Sequence, residues 1–164
     1  MKLITVNTER CTGCRLCELA CSLKHNGECN PAAAMIQVTG FDELFSVPMM
    51  CLQCEKPACA TICPTAAIVR DQTTGTITVL GEKCIGCKLC TVACPFGNIS
   101  FSSAKRVAVK CDLCGGEPEC VTFCPTKALE FTESDTATIR KRITLSERLR
   151  KIYEDTTQTD AHQL

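Results

Sequence analysis

Cys84-Ile-Gly-Cys87-Lys-Leu-Cys90-Thr-Val-Ala-Cys94-Pro95 is the stretch whose reading decides the fold. Three cysteines at steps of three are followed by a fourth after three more residues, and then by proline. This C-x2-C-x2-C-x3-C-P spacing lets one short loop wrap three thiolates around three corners of a [4Fe–4S] cubane. The fourth cysteine leaves on a different heading and, where two such runs exist, ligates the other cluster. One run therefore implies another.

The chain holds three more. They are Cys11, Cys14, Cys17 and Cys21; Cys51, Cys54, Cys59 and Cys63-Pro64; and Cys111, Cys114, Cys120 and Cys124-Pro125. The first and third have tight gaps and a glycine, Gly13 or Gly86, before the second cysteine. The second and fourth have a wider middle gap and lack that glycine. The alternation is an internal repeat and points to duplication of a two-run unit. The glycines are read as letting backbone approach the inorganic sulfides.

Seventeen cysteines in 164 residues suit either a disulfide scaffold or a metal protein. The first residues carry no sustained apolar stretch, twin arginine or cleavage site, so secretion is unsupported and a cytoplasmic location is expected. No stretch approaches the roughly 20 apolar residues that span a bilayer. With no Trp, one Tyr and six Phe, side chains alone make a thin core. Cluster ligation is expected to complete it, so the metal-free chain should not fold. Formal net charge is zero. Four [4Fe–4S] clusters at about −2 each bring the loaded protein to about −8, so the basic residues read as counter-charge and not as a nucleic-acid surface.

Taken in order, 2–8 reads as a strand that feeds the first run. Leu16, Leu19 and Ala20 fit a helical turn beside its cluster. Residues 22–50 are the longest insertion, with Cys29 and an apolar patch from Met35 to Val38, and read as packing under a loop. Thr65–Arg70 and Thr76–Val79 flank a turn around Gln72-Thr73-Thr74-Gly75 and predict a β-hairpin. Ile99–Phe101 and Val107–Val109 predict another. After Pro125, Thr126–Phe131 reads as a strand whose natural partner is the first one.

A cysteine run, proline, a hairpin and a second run resemble the layout of a bacterial two-cluster ferredoxin. The expected fold class is α+β: two bacterial-ferredoxin-like modules, one inserted in the other, with small hairpins and short helices around four clusters. The outer module takes 1–50 and 102–131, and the inserted module takes 51–101. A tail over 132–164 carries an expected helix at about 145–154, with a capping box from Thr144 to Glu147.

On this nested reading, outer cluster 1 uses Cys11, Cys14, Cys17 and Cys124, and outer cluster 2 uses Cys111, Cys114, Cys120 and Cys21. Inner cluster 1 uses Cys51, Cys54, Cys59 and Cys94, and inner cluster 2 uses Cys84, Cys87, Cys90 and Cys63. Consecutive pairing, first run with second and third with fourth, is also open to the sequence. Thiolates are soft donors suited to iron–sulfur clusters. Zinc sites do not call for a third cysteine in step and a fourth before proline, four times over. Cys29 is left over as a free thiol, and His25 and His162 read as surface residues. No P-loop, GxGxxG, HExxH or nucleophile–base constellation is present, so no catalytic residue is assigned. The chemistry that remains is one-electron transfer.

The motifs Cys51-Leu-Gln-Cys54, Cys94-Pro95-Phe-Gly and Lys110-Cys111-Asp-Leu-Cys114 through Cys124-Pro125-Thr resemble the four-cluster electron-transfer subunits of the dimethyl sulfoxide reductase and formate dehydrogenase families. That resemblance implies the nested ligation, a near-linear cluster chain and a role as a non-catalytic subunit. The opening Cys11-Thr-Gly-Cys14-Arg-Leu-Cys17 with His25, Gly27 and Asn30-Pro31 is most similar to the small iron–sulfur subunit of bacterial tungsten aldehyde oxidoreductases. It implies a large tungsten-containing catalytic partner, an FAD/NAD subunit as acceptor, and no membrane or nucleic-acid partner. Head-to-tail self-association is a further expectation. The rival readings are a freely diffusing polyferredoxin, a redox-sensing protein, or a subunit of a carbon monoxide dehydrogenase, hydrogenase or molybdenum enzyme.

Overall fold

The computed structural model describes residues 1–41, 45–133, 146, 149 and 150. Residues 1–132 form one compact unit and 133–164 a second. In the second, Ser146, Leu149 and Arg150 are helical, and the rest of the expected tail helix lies outside the described residues.

Among the described residues of the first unit, eight short strands make four two-stranded sheets. Strand β1 (Lys2–Val6) pairs with β8 (Leu129–Glu133), as the apolar ends of the chain suggested. The Asn7 amide donates to the Ala128 carbonyl at 2.8 Å, and the Thr5 hydroxyl to the Glu130 carbonyl at 3.3 Å. Two predicted hairpins are present. In β4 (Ile68–Arg70) and β5 (Ile77–Val79), Ile68 faces Val79. Asp71 ties their turn by accepting from the amides of Thr73 and Thr74 at 2.9 and 2.7 Å. In β6 (Ser100–Ser102) and β7 (Val107–Val109), Ser100 faces Val109.

The long insertion differs from its sequence reading. It holds a third hairpin, β2 (Gln37–Phe41) with β3 (Phe45–Met49). Pro48, opposite Val38, disguises it, because proline removes a ladder donor and reads against a strand. Ile36, Val38 and Met50 are buried, so the apolar patch is core.

Helix α1 (Leu16–Asn26) extends the expected single turn to eleven residues. It ends in a left-handed Gly27, whose amide donates to the Leu23 carbonyl at 2.9 Å. Its buried face is Cys17, Glu18, Cys21 and Ser22, whereas Leu16 is 42% exposed. Leu16 still lines a cavity beside Cys17, as expected of a turn next to a cluster, while cysteines and Glu18 fill the buried face. Glu18 is fully buried; its Oε1 accepts from the Val38 amide at 2.6 Å and Arg15 lies 3.8 Å from Oε2. The carboxylate thereby ties α1 to β2. Helix α1 packs on α4 (Glu119–Thr122), and α2 (Ala58–Thr61) on α3 (Leu89–Ala93).

Apolar burial falls into two groups. One joins Ile4, Ile36, Leu113 and Leu129 with Cys17, Cys21, Cys120 and Cys124. The other joins Ile68, Ile77, Ile99 and Ala108 with Cys90, and Cys59, Cys63, Cys84 and Cys94 pack against it. The first and fourth runs thus share one core, and the second and third share the other.

Candidate metal centres

Three cavities are each lined by four cysteines. One has Cys11, Cys14, Cys17 and Cys124; another Cys51, Cys54, Cys59 and Cys94; the third Cys63, Cys84, Cys87 and Cys90. The remaining set meets where α1 packs on α4, with Cys21 close enough to act electrostatically on Cys111, Cys114 and Cys120. Lys24 Nζ, 3.3 Å from Glu119 Oε1, fastens that junction. Each of the three cavities takes three cysteines from one run and one from another. Cys29 is exposed.

Local backbone repeats between the halves. Cys11 and Cys84 both leave a one-turn 3-10 segment at φ −78°, ψ 118°. Arg15 and Lys88 both start their helices in the left-handed region, at φ 60° and 62°. Gly13 and Gly86 have φ +69° and +71°. A Cβ on Gly13 would sit 2.6 Å from Ser46 Oγ, and one on Gly86 would sit 3.1 Å from the Arg106 carbonyl oxygen. Left-handed backbone and close protein packing both call for glycine at these positions.

Backbone donors surround the sulfurs. The amides of Met35, Ala67 and Ala108 lie 3.3, 3.3 and 3.4 Å from Sγ of Cys21, Cys63 and Cys84. The Cys-Pro-Thr segments at 63–65 and 124–126 add a hydroxyl each: Thr65 Oγ1 is 3.7 Å from Cys63 Sγ, and Thr126 Oγ1 is 3.8 Å from Cys124 Sγ. Desolvation pushes these two thiols up, but the hydroxyl and amide donors outweigh it and leave both lowered. At Cys17, Cys21, Cys54, Cys59, Cys90, Cys111, Cys114 and Cys120 burial prevails and raises the thiol. The Cys17 thiol is pushed up to about 12 by desolvation and then by neighbouring Glu18, and Cys111 reaches about 12 chiefly through desolvation. Cys120 is raised by burial and then by Cys111 and Cys114.

These residues fit iron–sulfur clusters. Each set offers four soft thiolate donors, and the three cavities are otherwise mainly apolar. Asn98, in the lining of the Cys51/Cys54/Cys59/Cys94 cavity, has a buried Nδ2 with no hydrogen-bond partner. An amide donor left over at that wall suits a sulfide-rich anion.

Neighbouring sets are close enough to act on one another electrostatically. Cys120 feels the charge of Cys17, Cys111 that of Cys51, and Cys90 that of Cys59. Cys14 and Cys87 are exposed, each in a different cavity lining. Around Cys87, Ile85, Leu89 and Val92 are exposed.

The cysteine pattern did not reveal several residues at these sites. His25 is not a plain surface residue: its Nε2 is 3.5 Å from both Cys114 Sγ and Asp112 Oδ1. Thr65 and Thr126 had a signal, the repeated Cys-Pro-Thr. Gln53 and Lys110 stand in motifs that carry the family resemblance, but nothing in their spacing marks them as buried polar residues.

The chain matches the 4Fe-4S dicluster domain family over residues 42–134 and the 4Fe-4S binding domain family over residues 4–22. It is 43% identical over 121 residues to the polyferredoxin-like subunit of an aliphatic sulfonate oxidoreductase from Pyrococcus furiosus, covering 74% of this chain and 70% of that one. It is 40% identical over 141 residues to a putative electron transport protein of Escherichia coli, covering 79% and 88%. The beta subunit of an NADH-dependent phenylglyoxylate dehydrogenase from Aromatoleum evansii is 37% identical over 77% of this chain and 29% of its own length. Among solved structures, the active site complex of benzoyl coenzyme A reductase with benzoyl-CoA aligns at a TM-score of 0.46 and 24% identity, over 96% of this chain and 97% of that one.

Proposed function

The chain belongs to the 4Fe-4S dicluster family of iron–sulfur proteins, and from that premise we propose that it wires a catalytic oxidoreductase subunit to an electron acceptor through four [4Fe–4S] clusters. It is a non-catalytic electron-transfer subunit with multiple [4Fe–4S] clusters. The number four, and the nested ligation with residues 51–101 inserted into the outer module, belong to this proposal.

One observation carries it: twelve cysteines line three cavities in sets of four, each mixing two runs, and we read Cys21, Cys111, Cys114 and Cys120 as the fourth set. The strand pair β1–β8 and the two separate cores support nesting over consecutive pairing. The electrostatic influence of Cys17 on Cys120, of Cys51 on Cys111 and of Cys59 on Cys90 supports the order outer 1, outer 2, inner 1, inner 2. The exposed Cys14 and Cys87 are then the two ends, where an electron enters or leaves. The clusters supply the one-electron chemistry. The chain spaces them, buries them and offers N–H and O–H donors to their sulfurs.

The partner we propose is a tungsten aldehyde oxidoreductase, with an FAD/NAD subunit as acceptor, in the cytoplasm. The resemblance of the first run to the small subunits of such enzymes supports it, as do relatives named as subunits of oxidoreductases. No helix among the described residues is long and apolar enough to cross a membrane. Anaerobic purification from the native host, with subunit identification and metal analysis, tests the assignment. Tungsten in a particle with a larger subunit is expected. Nickel or molybdenum would move the partner to carbon monoxide dehydrogenase, hydrogenase or a molybdenum enzyme, and a lone active chain would make it a freely diffusing polyferredoxin.

A further inference from the structure

We propose that Lys110 is a fixed positive charge at the crossing between the outer and inner cluster pairs, and that with Asn98 it sets the potentials of the two middle clusters. The proposal rests on the four-cluster reading above.

Lys110 is 5% exposed and is the one buried lysine or arginine among the described residues. No carboxylate is paired with it there. A buried ammonium without a counter-ion is costly, and structures keep one only where something compensates it. Its Nζ donates to the carbonyls of Ile77 and Cys111, at 2.5 and 3.0 Å. An ammonium has three donors, so one remains. Lys110 lines the cavity of Cys51, Cys54, Cys59 and Cys94 and directly precedes Cys111 in the chain. Its positive charge acts on Cys54, Cys59 and Cys111, which belong to the two sets that meet at this junction. The missing counter-charge is therefore the clusters themselves, since a loaded cubane with four thiolates is an anion.

Gln53 locks this arrangement. It is 1% exposed; its Nε2 donates to the Cys111 carbonyl at 2.8 Å, and its Oε1 accepts from the Ile77 amide at 2.8 Å. The same two residues therefore serve Gln53 and Lys110. In the internal repeat, Gln53 corresponds to Leu113 and Lys110 to Met50, both buried and apolar. The polar pair is thus a departure from the repeat, confined to the place where the halves meet. Asn98 is an independent observation on the same cavity, with a buried amide donor that has no protein partner.

A positive charge or an N–H donor stabilises the more negative, reduced cluster over the oxidised one. Removing it lowers the potential. The test is EPR-monitored redox titration of the whole chain, loaded anaerobically, in Lys110→Met, Lys110→Arg and Asn98→Leu. In Lys110→Met two of the four midpoints should fall, by about tenfold in the reduction equilibrium or about 59 mV for a one-electron couple, while two hold. Lys110→Arg keeps the charge and should keep all four near the parent values. Asn98→Leu should lower one of the two midpoints that Lys110→Met moves. Loss of iron in Lys110→Met with retention in Lys110→Arg also supports the charge. The proposal is overturned by four unmoved midpoints, by four equal shifts, or by iron loss in both Lys110 variants. An iron count well below sixteen in the parent would instead sink the four-cluster reading, which separates the two failures.

Discussion

Removing the hydroxyl beside Cys63 or Cys124 should lower the potential of one cluster, and a different cluster in each case. Thr65 Oγ1 and Thr126 Oγ1 lie 3.7 and 3.8 Å from the sulfurs, within sulfur hydrogen-bond range. A cluster-bound sulfur is a thiolate with no proton, so the hydroxyl must donate. The reduced cluster carries one more negative charge and gains more from that donor. At these lengths each bond sits at the weak end, about 0.5–1 kcal/mol, which on a one-electron couple is about 20–40 mV. Valine keeps the shape of threonine and removes the donor. In an EPR-monitored redox titration, Thr65→Val should move one midpoint down by that amount, and Thr126→Val should move another. Cys63 is assigned to inner cluster 2 and Cys124 to outer cluster 1, which are the two ends of the chain of clusters. The double variant should show both shifts at full size, because the sites share no partner. An upward shift, or the same midpoint moving in both variants, would refute the reasoning.

Further outcomes follow from the packing. Gly97→Ala places a side chain at φ +64° in open space and should cost about 1–2 kcal/mol from the left-handed backbone alone. Gly86→Ala adds contact with the Arg106 carbonyl and the Phe101 ring, so thermal bleaching of its visible absorbance should come clearly earlier than in Gly97→Ala. Cys29→Ser should leave iron content unchanged, and a lost cluster would reassign that thiol. Stripping iron should abolish the far-ultraviolet circular dichroism and hydrogen-exchange protection of the folded chain, because cysteines fill both cores; a protected apo form would contradict this. A chain ending at residue 132 should keep the iron count of the whole protein.

What the sequence discloses here is set by how local the constraint is. A cysteine run announces its loop because three ligands and their turn lie within about ten residues, and two hairpins announce themselves through alternation around a turn. The pairing of β1 with β8 was legible for a different reason: apolar segments at the two ends of the outer runs had no nearer partner. The β2–β3 hairpin was hidden because Pro48 argues against a strand, and tertiary packing of Val38 and Met50 overrides that argument. The full buried face of α1 was not legible because cysteines and an acid occupy it; Glu18 is placed there by the Val38 amide, twenty residues away. His25, Gln53 and Lys110 act across separations of 24 to 89 residues, and no local spacing encodes such contacts. Lys110 stands in a motif that carries the family resemblance, but its burial and its bonds to the carbonyls of Ile77 and Cys111 show only in the structure.

The most direct measurement is the iron and acid-labile sulfide content of the anaerobically purified chain, taken against a protein concentration from amino-acid analysis. Four cubanes predict about sixteen of each per chain. About eight of each would mean that only one pair of runs holds clusters, and the continuous wire would be contradicted.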